Sequence, residues 1–181
     1  MNASSYPSAV RALLARDSLS PLGPGRPNET MRPQLETLTA EMLFAAEKVR
    51  YADFASACLA GLWLYHDFLE ESHTLSQGIE NSTGSYWHGI MHRREPDASN
   101  AKYWFRRVGD HAVFAPLAEA AQALGLQLAP GRWDPFAFIN LCEKHRDTGT
   151  KDEETLRRVQ QREWELLFEF SYHAALGRSV Y

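Results

Sequence analysis

The sequence predicts an all-α fold, a single-domain irregular bundle of about seven to eight helices. Apolar residues recur at intervals of three and four through most of the chain, as the buried face of a helix requires. We find no run that alternates apolar and polar residues like a half-buried strand, and no internal repeat. At 181 residues, with 44% hydrophobic and 23% charged side chains, the chain has the size and composition of one globular domain.

The first 33 residues predict a partly extended N-terminal arm. A short helix is expected from Pro7 to Arg16. The segment SPLGPGRPNETMRP that follows is rich in proline and glycine, which interrupt helices and central strands. We therefore expect it to form a loop that wraps over the body of the protein.

Two helices are predicted in the next part of the chain. The first runs from Gln34 to about Lys48, where apolar side chains share one helical face: Leu35, Leu38, Met42, Ala45 and Val49. The second is expected from about Tyr51 to near Gly78. Its segment FASACLAGLWLYHDFLEE is apolar on nearly every side, so we expect it at the centre of the bundle.

A proline divides the next predicted pair of helices. Pro96 disfavours helical geometry at the residue before it, so one helix is expected from Gly84 to Arg94 and another from Ala98 to Val108. Asp97 is a suitable N-cap for the second helix, and Gly109 is suited to end it.

Three more helices are predicted towards the C-terminus. They cover the segments PLAEAAQALGLQL, WDPFAFINLCEKH and DEETLRRVQQREWELLFEFSYHAAL. The Asp134-Pro135 pair is typical of a helix start, and Gly177 is typical of a helix end.

Charge is distributed unevenly along the chain. The net charge is −4. The stretch from Tyr86 to Gly109 nevertheless holds five of the 19 Lys+Arg and two of the 23 Asp+Glu, a local charge of +3 against −7 for the remainder. Phosphate backbones normally require a broad positive face. Nucleic-acid binding therefore ranks last among the functions that we consider.

No segment predicts a membrane span or secretion. The most apolar run, Phe54 to Leu64, has about half the length that crosses a bilayer, and the N-terminal residues lack the pattern of a secretory signal. Cys58 and Cys142 lie among apolar neighbours without metal-binding spacing, as buried reduced thiols do. We expect no membrane partner and a cytoplasmic location.

Two sets of metal-ligand side chains have the same helical spacing. His88, His92 and Glu95 stand at positions i, i+4 and i+7, which share one face of a helix. The preceding predicted helix repeats the spacing with a second set: His66, Glu70 and His73. Since few residues join the two helices, we expect them to pack as neighbours with these sets facing each other.

This arrangement predicts a mixed imidazole and carboxylate site of the kind found in helical metal proteins. Its expected ligands are His66, Glu70, His88 and His92, and its metal would be zinc, iron, manganese or nickel. If no metal is bound, His88 or His92 is expected to act as a general acid or base beside Glu70.

Polar and aromatic side chains near the histidines predict a binding pocket for a small anionic or polyhydroxylated molecule. The expected binding residues are Tyr86, Arg93, Arg94, Asn100, Lys102, Tyr103, Arg106 and Arg107. In the alternative interpretation the arginines pair internally with the nearby acids Glu70, Glu71, Glu95 and Asp97. The cluster would then be an internal brace in a non-enzymatic structural or protein-interaction domain.

The run WHGIMHRREPDASNAKYWFRRVGDH resembles the recognisable block WHxxMHRREPDxSNAKYWFRRVGxH of a family of small helical proteins. The resemblance covers about Tyr86 to Phe114. It implies that this segment carries the function, but it implies no particular reaction.

Overall fold

The computed structural model describes residues 5–15, 18–45, 47–129 and 131–180. Within these ranges it contains ten α-helices and no β-strand, which confirms the predicted all-α class. In chain order they are α1 (Ser8–Leu14), α2 (Arg32–Glu36), α3 (Ala40–Phe44), α4 (Ala52–Tyr65), α5 (Leu69–Ser76), α6 (Ser82–Arg94), α7 (Ala98–Val108), α8 (Phe114–Ala123), α9 (Pro135–His145) and α10 (Lys151–Ala175).

The helices α6, α7, α9 and α10 begin and end close to the predicted residues, whereas α8 ends at Ala123, before the predicted Leu128, and Gly125 beyond it has a positive φ angle. Asp97 caps α7 by accepting a hydrogen bond from the backbone N–H of Asn100, and Asp134 caps α9 in the same way. Gly109 and Gly177 follow α7 and α10 with positive φ angles, which glycine adopts without strain. Local capping chemistry therefore determines these boundaries.

The single helix predicted from Gln34 to Lys48 is wrong, because α2 and α3 replace it. The break falls at residues 37–39. Thr39 is extended, and its hydroxyl accepts a hydrogen bond from the backbone N–H of Met42 to start α3. A threonine in this role competes with helix continuation. The break lets both Leu38 and Leu43 point into the core.

The single helix predicted from Tyr51 to Gly78 is also wrong, because α4 ends at Tyr65 and α5 starts at Leu69. Asp67, between them, has a left-handed backbone with φ 65°, a conformation that aspartate tolerates better than most residues. Its carboxylate is buried and forms an ion pair with Arg94, with 2.5 Å between Oδ1 and Nη2. This tertiary contact lies at the break, so α5 does not continue the helical register of α4.

Helix α4 lies at the centre of the bundle, as predicted, and contacts α5, α6 and α10. The indole of Trp164 on α10 donates to the carbonyl of Gly61 on α4 at 2.8 Å. The buried apolar residues of the described helices form one continuous core. Among the described residues, no helix combines the length and the apolar character needed to cross a bilayer.

The N-terminal arm wraps over the bundle, and its segment 18–31 is free of helix. The predicted helix near Pro7 is present as α1, while Arg16, its expected last residue, lies outside the described residues. Three side chains hold the loop by donating to its carbonyls: Arg157 to Ser20 at 3.0 Å, Gln160 to Pro21 at 2.9 Å and Arg94 to Gly23 at 2.9 Å.

Candidate metal centre

Three histidines converge where α5 packs on α6: His73, His88 and His92. One ligand nitrogen from each lies within 4.8 Å of the other two. The ring centroids of His73 and His88 are 4.6 Å apart, and those of His73 and His92 are 5.3 Å apart. The two histidines of α6 are stacked at 4.8 Å.

Each ligand side chain is positioned by its helix. His88 and His92 are one turn apart on α6, so they project from the same face. The side chain of Asn81 caps the start of α6 by accepting from the N–H of Gly84. Only a short connection separates α5 from α6, which places His73 against the pair.

His88 is the most enclosed of the three histidines, with 2% of its surface exposed. Its ring stacks on the indole of Trp104 from α7, with centroids 3.9 Å apart and planes 15° apart. Neither ring nitrogen of His88 meets a hydrogen-bond partner within the part of the chain that the structure describes. Buried polar atoms are normally paired, so this side chain is a strong candidate for a ligand contact.

The histidines of α6 are held in their neutral form. Burial lowers the pKa of His88 to about 3, with further contributions from neighbouring His92 and His73. Burial also lowers the pKa of His92, although its hydrogen bond to Glu95 acts in the opposite direction. Neutral imidazole is the form that binds a metal.

Glu95 orients one of the rings. Its carboxylate accepts a hydrogen bond from Nδ1 of His92 at 2.9 Å, which fixes the proton on that nitrogen. The lone pair of His92 is therefore on Nε2. A carboxylate in this position is a common partner of metal-binding histidine.

The cluster offers three imidazoles that could serve as three of the four ligands of a tetrahedral metal. Bonds of about 2.0–2.1 Å to zinc would bring the ligand nitrogens to about 3.4 Å from one another. The present separation of up to 4.8 Å is therefore larger than in a loaded site, and small side-chain rotations would close it. Of the three histidines, His73 is the only one that is half-buried, and the other two are buried.

The structure does not bring His66 and Glu70 to this cluster. With α4 ended at Tyr65, His66 caps that helix and no longer shares a face with α5. The Nε2 of His66 donates to the carbonyl of Leu13 at 2.8 Å, and Nδ1 faces the amide of Asn28 at 3.4 Å. Glu70 is exposed on α5. The predicted metal ligands His66 and Glu70, the latter also predicted as a catalytic partner, therefore lie apart from the cluster of His73, His88 and His92.

Three of the expected binding residues are inside the protein. Tyr86 is fully buried, and its hydroxyl donates to Glu163 at 3.1 Å. Arg93 forms an ion pair with Glu163 at 2.5 Å, and Arg94 pairs with Asp67. These side chains have internal partners, but those partners are not the nearby acids that the alternative interpretation named.

The other expected binding residues lie on the surface of α7. Asn100, Tyr103, Arg106 and Arg107 are exposed, and Lys102 is half-buried. The amide of Asn100 donates to its helix cap, Asp97, at 2.8 Å. The guanidinium of Arg107 lies over the ring of Trp104, 5.2 Å from its centroid.

Large cavities lie away from the histidines. One of 630 Å³ is lined by Phe105, Phe114, Trp133 and Phe136 among others, and another of 520 Å³ lies between α9 and the start of α10. Neither is lined by a histidine of the cluster. The lining residues of these two cavities therefore give no support to a large ligand pocket beside His73, His88 and His92.

The sequence pattern included His73 in its spacing but not among the expected ligands. The i+7 spacing of His66 and His73 places them on one face only if a single helix contains both. In the structure α4 ends at Tyr65 and α5 starts at Leu69, so no single helix does. A signal was nevertheless present, since His73 is the last histidine that precedes α6 in the sequence.

Comparisons of the chain with protein-family models, with curated proteins and with solved structures find no match. The resemblance of the Tyr86 to Phe114 segment to a family block therefore stays a prediction.

Proposed function

We propose that this protein binds a divalent transition metal, with zinc as the best fit, through His73, His88 and His92. The open fourth position would take a water or a small molecule, on which the metal performs Lewis-acid chemistry. The observation that carries the proposal is His88, a buried neutral imidazole that lies beside two more imidazoles and whose nitrogens both lack a hydrogen-bond partner among the described residues.

The environment favours metal binding over a purely structural role for this cluster. An unpaired buried polar group costs about 1–3 kcal/mol, and a metal bond to one nitrogen of His88 would remove the penalty for that nitrogen. The low pKa of His88, about 3, also means that protons compete weakly for its lone pair. Three imidazoles without a directly bound carboxylate suit zinc better than manganese.

The buried arginines Arg93 and Arg94 favour the internal-brace interpretation for their own ion pairs, but not for the three histidines. Arg93 forms an ion pair with Glu163 on α10, and Arg94 forms one with Asp67 in the turn between α4 and α5. They hold α6 in place and leave the histidines free for a ligand. We also propose the cytoplasm as the location, consistent with two buried free cysteines, Cys58 and Cys142.

The test is metal uptake by the purified chain after chelation and dialysis. We expect about one cobalt or zinc ion per chain, with the visible absorption of tetrahedral cobalt. His73→Ala and His88→Ala should abolish uptake. His173→Ala is the matched control, because His173 is half-buried like His73 but lies outside the cluster.

His73→Ala is the decisive variant, since its half-buried position makes misfolding a smaller concern than at His88. Circular dichroism should show that it keeps the helical content of the parent. A parent chain that takes up no cobalt, or a folded His73→Ala variant that takes up as much as His173→Ala, would rule out the centre.

A further inference from the structure

The cavity of 630 Å³ is walled by aromatic rings from three helices and one loop. Its volume is within the range of about 300–1,000 Å³ that is typical of small-molecule sites. The rings come from α7, α8, the loop before α9 and α9 itself: Phe105, Phe114, Trp133 and Phe136. The three clustered histidines are not among its lining residues, so this cavity is separate from the proposed metal centre.

Trp133 brings a buried hydrogen-bond donor to this cavity. Only 4% of its surface is exposed, and its Nε1 has no hydrogen-bond partner in the ranges that the structure describes. The side chain lines both this cavity and a smaller one of 150 Å³ that shares part of the lining. Buried tryptophans usually find a partner for the indole N–H, so this donor indicates a ligand that supplies an acceptor.

The charged side chains around the cavity nearly balance. Asp110 and Asp134 contribute two formal negative charges, and Arg132 contributes one positive charge. The carboxylate of Asp134 is already engaged, since it accepts from the backbone N–H groups of Phe136 and Ala137. The lining therefore favours neither an anion nor a cation strongly, and the aromatic walls and the buried indole N–H dominate its chemistry.

We propose that this cavity binds a small, uncharged aromatic molecule that carries an oxygen able to accept a hydrogen bond. The ring of the ligand would pack against the aromatic walls, and such ring pairs are stabilising beyond the area that they bury. The oxygen would accept from Nε1 of Trp133. This site requires no metal, so it is independent of the function proposed above.

The experiment follows the ¹H–¹⁵N indole cross-peaks of the full chain during titration with benzamide, an uncharged aromatic probe with a carbonyl oxygen. The chain has five tryptophans, and Trp133→Phe identifies the cross-peak of Trp133 by its disappearance. We expect benzamide to shift that cross-peak with saturation. Benzylamine and benzoate keep the ring but carry a cation or an anion, and they should bind at least about fivefold more weakly.

Ala115→Trp is the variant that blocks the cavity. Ala115 is exposed on α8 and lines the cavity, so a large side chain there would occupy the space with little effect on the core. Ala123→Trp is the matched control, because Ala123 is exposed on the same helix but is not a lining residue. The shift should be lost in Ala115→Trp and retained in Ala123→Trp.

The outcomes test the site and its ligand class separately. The site is overturned if benzamide causes no saturable shift of the Trp133 cross-peak, or if Ala115→Trp binds benzamide as tightly as Ala123→Trp. The ligand class is overturned if benzylamine or benzoate binds at least as tightly as benzamide. Metal uptake tests the histidine cluster alone, so failure of either proposal leaves the other standing.

Discussion

His111 shows how a single buried side chain acquires a defined protonation state. The backbone N–H of Val113 donates to Nδ1 of His111 at 3.2 Å, so that nitrogen carries no proton. Nε2 must then hold the proton and donate to the hydroxyl of Thr83 at 3.1 Å. Burial lowers the pKa of His111 to about 4, because the charged ring would lose water and oppose the Val113 N–H.

This state predicts a pH dependence of stability. An unfolded histidine titrates near pH 6.5. Above that pH, neutral His111 therefore makes its full contribution to the free energy of unfolding. It is lost as the pH falls from about 6.5 to about 4. The loss is on the order of 3 kcal/mol.

The measurement is urea unfolding of the parent and His111→Gln at pH 7 and pH 4.5. Because His88 also resists protonation, the quantity of interest is the difference in unfolding free energy between the two proteins. That difference should shrink by about 2–3 kcal/mol on acidification. A difference that stays constant with pH would show that His111 does not titrate in this window.

At the scale of helices, a glycine sets how closely α6 and α7 approach. A Cβ at Gly89 would lie 2.8 Å from two ring atoms of Phe105, and Phe105 is buried in the core. The close approach is what lets Trp104, adjacent to Phe105, stack on His88. The spacing of two helices thus supports the candidate centre.

We predict that Gly89→Ala lowers the free energy of unfolding by about 1–3 kcal/mol, because steric overlap outweighs the better helix propensity of alanine. Gly78→Ala is the matched control. A Cβ there meets only the carbonyl of Leu75 at an ordinary 3.6 Å, so its stability should stay within about 0.5 kcal/mol of the parent. Chemical denaturation measures both, and equal stabilities would contradict the role of Gly89.

For the molecule as a whole, the N-terminal arm is held by side chains far away in the sequence. Arg157 on α10 donates to the carbonyls of Leu19 and Ser20, and Arg94 donates to Gly23 while it pairs with Asp67. The arm therefore covers buried polar groups and seals one side of the bundle.

We predict that Arg157→Ala loosens segment 18–31 and makes it more susceptible to limited proteolysis, because two carbonyl partners are lost together. The far side of the bundle should keep its hydrogen-exchange protection. Arg158→Ala is the control, since Arg158 makes an exposed pair with Glu154, which contributes little. Equal cleavage rates in the two variants would show that Arg157 does not hold the arm.

The sequence by itself determined the helical class, the central position of α4 and the boundaries of α7, α9 and α10. It also placed His88 and His92 on one face. These features depend on hydrophobic periodicity and on caps such as Asp97 and Asp134, which act within a few residues.

Only the tertiary structure decided which side chains meet. The ion pair of Asp67 with Arg94 accompanies the end of α4, and the structure places His73, not the expected ligand His66, beside His88 and His92. Glu163, 70 residues from Arg93, turns a predicted ligand-binding arginine into a brace. Contacts between residues so far apart leave no periodic signal along the chain, because each depends on how the packed helices are oriented.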